Sequence, residues 1–469
     1  MLAIHSPDTP CTRRRFLTVG GLALSGLSLS SLFTVRAHAA DAPTPNSSLE
    51  TGKSVIFLFQ QGGPSQFETF DPKPDAPVEI RTVGELVQTA LPGVRFGEKL
   101  VRLAKHADKF TVVRSFATGN GGHNIRPLVG PESQDTYVGS IYSSVAGATN
   151  PATAVPTNAV VFPQAVCNNV AKGQGRGDFA ATGAVGTAFA PFIPGEGGQL
   201  QKNLRLNLPT ERFSDRRALL DGFDKLREGT EADPQFKNFQ RGQKQACEVL
   251  LSGAVADALD LSREDPKVLA KYDTAPFVAP HNWDRSARGK RGYYTGHTKS
   301  LGKAMLLARR LCEAGCGFVT VHVGYEGVWD MHADGNNLNM KDGMDAIGGA
   351  FDHAVAAFIE DVEARGLSEK ILLVATGEMG RTPRLNKNGG RDHWAKLAPL
   401  LLYGGGAARG KVIGRSTKDG GEPDSDGCAT PHLIATVLHT VFDMGQVRLK
   451  PALGAISRLG EPGPIPGVF

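Results

Sequence analysis

The 469-residue chain has few cysteines, and their spacing is irregular. Of the six cysteines, five follow residue 39, and an odd number without regular spacing argues against a disulfide framework. No C-x-x-C-H motif or cysteine cluster occurs, which excludes a c-type haem and argues against electron transfer. Cys312 and Cys316 lack a second pair for a thiolate zinc site, so we expect both to be small buried residues.

The chain also lacks strong charge of either sign. Its formal net charge is +5, of which +3 lies in the first 39 residues, leaving about +2 for the remainder. A near-neutral protein has no electrostatic footprint for nucleic acid or for an anionic membrane surface. No segment after residue 39 is apolar enough over the roughly 20 residues needed to span a bilayer. We therefore expect no nucleic-acid partner and no membrane span after residue 39.

The first 39 residues have the three parts of a signal peptide. Residues 12–17 read Thr-Arg-Arg-Arg-Phe-Leu, residues 18–33 are moderately apolar, and residues 37–39 read Ala-His-Ala, a signal-peptidase site. The adjacent arginines indicate the twin-arginine route. We expect the twin-arginine machinery to be a partner of the chain, and residues 40–469 to work in the periplasm or another extracytoplasmic compartment.

Short apolar runs alternate with amphipathic segments through most of the remaining chain. We predict strands over 54–59, 110–113, 318–323, 371–375 and 399–403, and helices over 299–314, 347–362 and 430–442. Strands that alternate with helices indicate an α/β fold with a mostly parallel sheet covered on both faces. The range of about 147–290 begins rich in Gly, Ala and Pro and becomes charged and helical, so we interpret it as an insertion or cap.

Polar side chains follow four of the predicted strands. Ligands of parallel sheets bind beyond the carboxyl ends of the strands, where these clusters are expected to meet. Carboxylate and imidazole groups are the ligands of a hard or borderline divalent cation. The sequence therefore predicts that one divalent metal ion of unknown identity is bound by Asp330, His332, Glu378, Asp392 and His393.

Two arginines accompany these candidate ligands. Arg381 and Arg391 could each meet an anionic oxygen bidentately, as arginine does for phosphate, sulfate or carboxylate. Other interpretations stay open: Asp330 could cap a turn, His332 could be a packed loop histidine, and Glu378 could simply pair with Arg381. The functional interpretation is favoured because four polar clusters occupy equivalent topological positions, which packing alone does not require.

Five motifs together resemble an exported bacterial family of unknown function, often twin-arginine-targeted, that is related to sulfatases and alkaline phosphatases. They read QGGPS at 61–65, FDPKP at 70–74, WDMH at 329–332, GEMGRTP at 377–383 and GRDHW at 390–394. The resemblance covers most of the chain after residue 39 and is weakest over about 147–290. It implies a three-layer, alkaline-phosphatase-like α/β/α fold.

The resemblance also implies active-site residues, and here the chain departs from the pattern. In active sulfatases the first strand ends in two metal-binding aspartates, whereas this chain has Gln60 and Gln61. The position of the sulfatase nucleophile corresponds to Asn120, which cannot attack a phosphorus or sulfur centre. Thr118 or Ser115 is then the predicted catalytic hydroxyl, displaced from the usual position.

Three functions are compatible with these residues. The first is a metal-dependent hydrolase of a phosphate or sulfate ester, with arginine stabilising the developing negative charge. The second is a non-catalytic protein that uses the same cleft to bind an anionic glycan or a partner protein. The third is an accessory protein of envelope assembly that acts through residues 147–290.

Replacing Arg13 and Arg14 together by lysine keeps their charge but removes the twin-arginine signal. We expect the double variant to accumulate uncleaved in the cytoplasm, because the export receptor reads the arginine pair. The control Arg36→Lys should be exported and cleaved after Ala39. Cell fractionation and N-terminal sequencing check both outcomes, and export of the double variant would contradict the assignment.

Overall fold

The computed structural model of the protein describes residues 49–170, 176–195, 253–278, 291–322 and 327–469, together with Arg212 and Tyr325. The predicted signal peptide and most of the predicted insertion lie outside the described residues. Within the described ranges, no helix combines the length and the apolar character that crossing a membrane requires.

The central sheet has seven strands among the described residues. In chain order they are β1 (Ser54–Phe59), β2 (Thr111–Val113), β3 (Asn158–Val161), β4 (Phe318–His322), β5 (Ile371–Thr376), β6 (Leu400–Gly404) and β7 (Lys411–Ile413). Their spatial order is β7-β2-β6-β5-β1-β4-β3. Neighbours pair in parallel except at β6, which is antiparallel to both β2 and β5.

The central strands are apolar because both of their faces are buried. In β1, Ile56 and Leu58 belong to one hydrophobic core, and Val55 and Phe57 belong to a second core on the opposite face. Successive side chains of a strand point to opposite faces, so a strand between two helical layers needs apolar residues at every position. The continuous apolar run of β1 is the direct result.

Helices cover both faces of the sheet. They are α1 (Val101–Lys105), α2 (Val138–Ala146), α3 (Ala254–Leu259), α4 (Pro266–Lys271), α5 (Arg291–Glu313), α6 (Met340–Ala364), α7 (Thr430–Val441), α8 (Met444–Arg448) and α9 (Gly454–Leu459). Helices α5 and α6 belong to the core that contains Ile56, and α2 and α7 belong to the other. This arrangement confirms the predicted α/β class with three layers.

Two predicted boundaries differ in the structure for local reasons. Helix α6 begins seven residues before the predicted start at 347, because the side chain of Asn339 caps it by accepting a hydrogen bond from the Asp342 amide at 2.8 Å. Strand β3 falls within the predicted insertion 147–290, yet it pairs with β4 at the edge of the central sheet. The start of that range is therefore part of the sheet itself.

A buried ion network attaches residues 253–278 to the helical layer. Arg309 of α5 is 1% exposed and contacts three carboxylates: Glu264 at 2.6 Å, Asp361 of α6 at 3.0 Å, and Glu313. Burial tends to raise the pKa of Glu264, but hydrogen bonds and charge from the arginines outweigh it and lower that pKa to about 2. Glu264 is therefore ionised at neutral pH, and the network joins three separate segments.

Arg309→Met should destabilise the fold by roughly 1.5–3 kcal/mol, because it removes charged hydrogen bonds of buried carboxylates, while Arg310 and Arg365 still pair with Glu264 and Asp361. Arg263→Met makes the same change in an exposed ion pair with Asp257 and should cost at most about 1 kcal/mol. Urea unfolding of both variants measures the difference. Equal losses would show that the buried network does not stabilise the fold.

Candidate metal centre

The loops after β1 and β5 and the segment 327–332 meet at one edge of the sheet. Gly62 lies in the β1 loop with a φ of +119°, and a Cβ there would lie 2.8 Å from the Asp330 amide nitrogen and 2.9 Å from that of Trp329. Only glycine combines this backbone conformation with so close an approach. The β1 loop therefore packs directly on the backbone that carries Asp330.

Asp330 lies at the centre of three imidazoles. Its Oδ2 atom is 3.1 Å from Nε2 of His123 and 3.0 Å from Nε2 of His332, and its Oδ1 atom is 3.2 Å from Nε2 of His393. The side chain of Asp330 is 6% exposed, whereas those of His332 and His393 are 23% and 30% exposed. The cluster is thus buried on one side and open to solvent on the other.

Three members of this cluster could hold a metal ion. One donor atom from each of His123, Asp330 and His393 lies within 4.8 Å of the others. Ligands of a tetrahedral zinc ion, at about 2.0–2.1 Å from the metal, are roughly 3.3–3.4 Å apart. The two contacts of Asp330 with these histidines, 3.1 and 3.2 Å, are close to that spacing. Two imidazoles and a carboxylate can hold zinc or another first-row divalent ion.

Glu378 lies behind His123. Its carboxylate is fully buried, accepts hydrogen bonds from the Gly62 amide at 2.8 and 3.1 Å, and is 3.0 Å from Nδ1 of His123. Nε2 of the same ring faces Asp330. Carboxylates commonly hold the far nitrogen of a metal-binding histidine in this way, which fixes the ring orientation and the tautomer. The residue predicted as a ligand therefore contacts the cluster through His123.

Arg381 holds Asp330 and the β1 loop together. Its Nη2 atom donates to Oδ1 of Asp330 at 2.7 Å and also to the carbonyls of Trp329, at 3.2 Å, and Gly62. Its Nε atom donates to the carbonyl of Gly63 at 2.8 Å. The guanidinium is fully buried. It pairs with Asp330, so the open alternative of a pair with Glu378 is not what the structure contains.

The charges of the cluster depend on one another. Burial raises the pKa of Asp330, but its hydrogen bonds with three imidazoles and the charge of Arg381 outweigh burial and hold that pKa far below the usual range. Burial lowers the pKa of His123, yet Asp330 and Glu378 raise it to about 9. Asp330 is therefore a carboxylate at neutral pH, and a cation that binds Nε2 of His123 must displace a proton.

Two of the other predicted site residues have their side-chain contacts outside the cluster. Asp392 is exposed, and its Oδ1 atom accepts a hydrogen bond from Asn386 at 3.3 Å. Arg391 is fully buried, pairs with Glu68 at 3.1 Å, and lies over the ring of Phe67 at 4.2 Å. Neither side chain is in a position to contact directly an ion or a substrate that binds at Asp330.

The two predicted nucleophiles are also hydrogen-bonded within the protein. Oγ1 of Thr118 donates to the carbonyl of Asn120 at 3.2 Å and accepts from the amide of the same residue at 3.4 Å. Oγ of Ser115 donates to the carbonyl of Asp426 at 2.8 Å. Both side chains are buried, and the assignment of either hydroxyl as a nucleophile stays a prediction.

His123 is the residue of this cluster that the sequence did not predict as a site residue. It lies ten residues beyond Val113, where the second strand along the chain ends. Nothing in its spacing distinguishes it from Asn120 or Asn124. The available signal was its place in the loop where the family resemblance puts the nucleophile.

Solved structures with related folds are sulfatases and phosphatases of low similarity. A sulfatase from a Pseudoalteromonas species matches at 11% identity and a TM-score of 0.29, covering 83% of this chain and 67% of that one. The alkaline phosphatase of the Antarctic bacterium TAB5 matches at 14% identity and a TM-score of 0.26, covering 82% of this chain and 98% of that one. A phosphonate monoester hydrolase from Silicibacter pomeroyi matches at 10% identity and a TM-score of 0.28, covering 82% of this chain and 72% of that one. At these identities and TM-scores, neither residue equivalences nor activities can be transferred from these proteins to this chain.

A search of curated proteins found no match to this chain. A family model described as "Protein of unknown function (DUF1501)" matches residues 52–456. These bounds include every strand of the central sheet and all of the residues around Asp330. The protein therefore belongs to the DUF1501 family.

Proposed function

We propose that the protein is an exported, metal-dependent hydrolase of anionic esters. The observation that carries this proposal is the convergence of His123, Asp330 and His393, whose donor atoms lie within 4.8 Å of one another. Structural zinc sites are closed by four protein ligands, whereas catalytic sites have three and keep one position open. The partial exposure of His393 and His332 supplies that opening on the solvent side.

Each neighbouring residue has a defined part in this proposal. His123, Asp330 and His393 hold the ion, which when bound supplies Lewis-acid chemistry by polarising an ester oxygen and lowering the pKa of water. Arg381 fixes Asp330 by a 2.7 Å hydrogen bond, and Glu378 orients His123 from the far side of the ring. The buried partners limit the motion of the ligands, which is what a preorganised metal site needs.

The substrate class comes from the family resemblance, which implies a phosphate or sulfate ester. Water is the nucleophile that we favour, because the hydroxyls of Thr118 and Ser115 are bonded to backbone groups. An export signal at residues 12–39 agrees with this activity, because the twin-arginine route carries proteins that are already folded and can already hold an ion.

A non-catalytic binding protein is the second candidate. It is favoured by the arginines: the guanidinium groups of Arg381 and Arg391 are both fully buried and are bound to carboxylates and carbonyls of the protein itself. With neither one facing a substrate, the ion alone would recognise the anionic group of a glycan or partner. Both candidate functions require a bound metal ion, but only the hydrolase turns over a substrate.

Asp330→Asn should weaken metal binding by more than 100-fold. Loss of an outer partner of a ligand costs roughly 10- to 100-fold in affinity, and loss of the ligand itself should cost more. The control Asp392→Asn makes the same change at an exposed carboxylate and should bind normally. Calorimetric titration of the mature protein with Zn²⁺ and with Mn²⁺ measures both.

His393→Ala provides a second test of the same site, because this half-exposed ring can be removed with less risk to folding. It should also weaken binding. If Asp330→Asn and His393→Ala bind as tightly as the unaltered protein, the proposed site is wrong.

Turnover separates the two candidate functions. Metal-loaded protein should hydrolyse 4-nitrophenyl phosphate or 4-nitrophenyl sulfate, and Asp330→Asn should abolish the reaction. Thr118→Ala identifies the nucleophile: retained turnover supports water, and its loss in a variant that still binds metal supports the Thr118 hydroxyl. Tight metal binding without turnover on either ester class would favour the binding protein.

A further inference from the structure

We infer that Gln61 limits this centre to a single metal ion and positions the loop that carries His123. The inference rests on the proposed function, since it concerns the same metal centre. Gln61 stands where the family resemblance implies one of two metal-binding aspartates. In this chain that position is not available to a cation.

Every hydrogen-bonding position of the Gln61 amide is used. Its Oε1 atom accepts from the Arg176 amide at 3.0 Å and from Nε2 of His322 at 3.0 Å. Its Nε2 atom donates to the carbonyl of Arg176 at 2.8 Å and to that of Asn124 at 3.0 Å. A primary amide offers two donors and two acceptor lone pairs, so no lone pair is left for a metal. The side chain is fully buried as well.

His322 is the imidazole that hydrogen-bonds to Gln61, and it lies in an aromatic environment. The ring lies among Phe59, Phe162 and Phe179 at centroid distances of 5.9, 5.2 and 5.1 Å. Burial, with a smaller effect of His297, lowers its pKa to about 3. The neutral ring directs Nε2 toward Gln61, so the nitrogen that could bind a cation there serves the amide instead.

Two buried carboxylates in or against the segment after β1 are also engaged. Glu378 accepts from the Gly62 amide and contacts His123, and Glu68 pairs with Arg391 and accepts from Ser65. A second divalent ion needs negatively charged oxygen ligands of its own. Among the described residues, these two buried carboxylates do not supply them.

Three of these four hydrogen bonds give Gln61 a positive role. They join the loop after β1 to Asn124, the residue that follows His123, and to the backbone of Arg176. The His123 loop is therefore held from two sides, by Gln61 through Asn124 and by Glu378 through the ring. Gln61 is a positioning residue, because it acts on the metal site only through His123.

Adjacent glutamines provide a matched pair of variants. Gln61→Met and Gln60→Met both replace a buried amide by a thioether of similar size, but Nε2 of Gln60 has no hydrogen-bond partner. We expect Gln61→Met to weaken Zn²⁺ binding by about 10-fold, the lower end of the range for direct partners of metal ligands, because Gln61 acts through the backbone of Asn124. Gln60→Met should change it by less than about threefold, because no hydrogen bond is lost.

The test uses the mature protein loaded with Zn²⁺ or Co²⁺. Elemental analysis after dialysis should give one ion per chain, and the visible spectrum of the Co²⁺ form should change in Gln61→Met as it does in His123→Ala. Thermal unfolding of the metal-free variants separates general destabilisation from a displaced ligand, because a purely structural role would leave the Co²⁺ spectrum unchanged.

Two ions per chain in the unaltered protein would overturn this inference and leave the proposed function standing. So would a Gln61→Met variant whose metal affinity and Co²⁺ spectrum match those of Gln60→Met. If Gln61→Met does not fold, the ion count of the unaltered protein still decides the first point. Binding of no ion at all would instead overturn the proposed function.

Discussion

The Asp330 carboxylate is the group on which the candidate site depends. A buried charge is costly unless it is paired and hydrogen-bonded, and Asp330 meets this condition with three imidazoles and the guanidinium of Arg381. Arg381 in turn binds the carbonyls of the β1 loop, so one ion pair holds both the centre and the backbone around it. The same charged groups therefore hold both the candidate site and the packing of its loops.

Sequence patterns predicted the central sheet well where burial determines the residue type. β1 and β5 are buried at every position, and both appear as uninterrupted apolar runs. β3 was not predicted, because its four residues lie in a Gly- and Pro-rich region without a distinct pattern. Helix α6 was predicted too short, because the residues of its first turns include glycine and charged side chains that do not repeat at helical spacing.

The candidate site was predictable only in part, for a related reason. Strand order brings Asp330, His332 and His393 to one edge of the sheet, and residue type at strand ends is visible in the sequence. The direction in which each side chain points is not visible in the sequence. Glu378 and Asp392 looked equivalent as carboxylates, yet one is fully buried behind His123 and the other is exposed. The internal partners of Arg381 and Arg391 are likewise not visible in the sequence.

The position of His123 has a consequence for how the chain matures. In sequence 207 residues separate it from Asp330, and a further 63 separate Asp330 from His393. Contacts over such separations form late, because long loops must close before the contacts stabilise anything. The ligands therefore exist as a set only after nearly the whole sheet has assembled. Under the proposed function, metal binding would therefore require nearly complete folding, and a truncated or half-folded chain would lack the assembled ligand set.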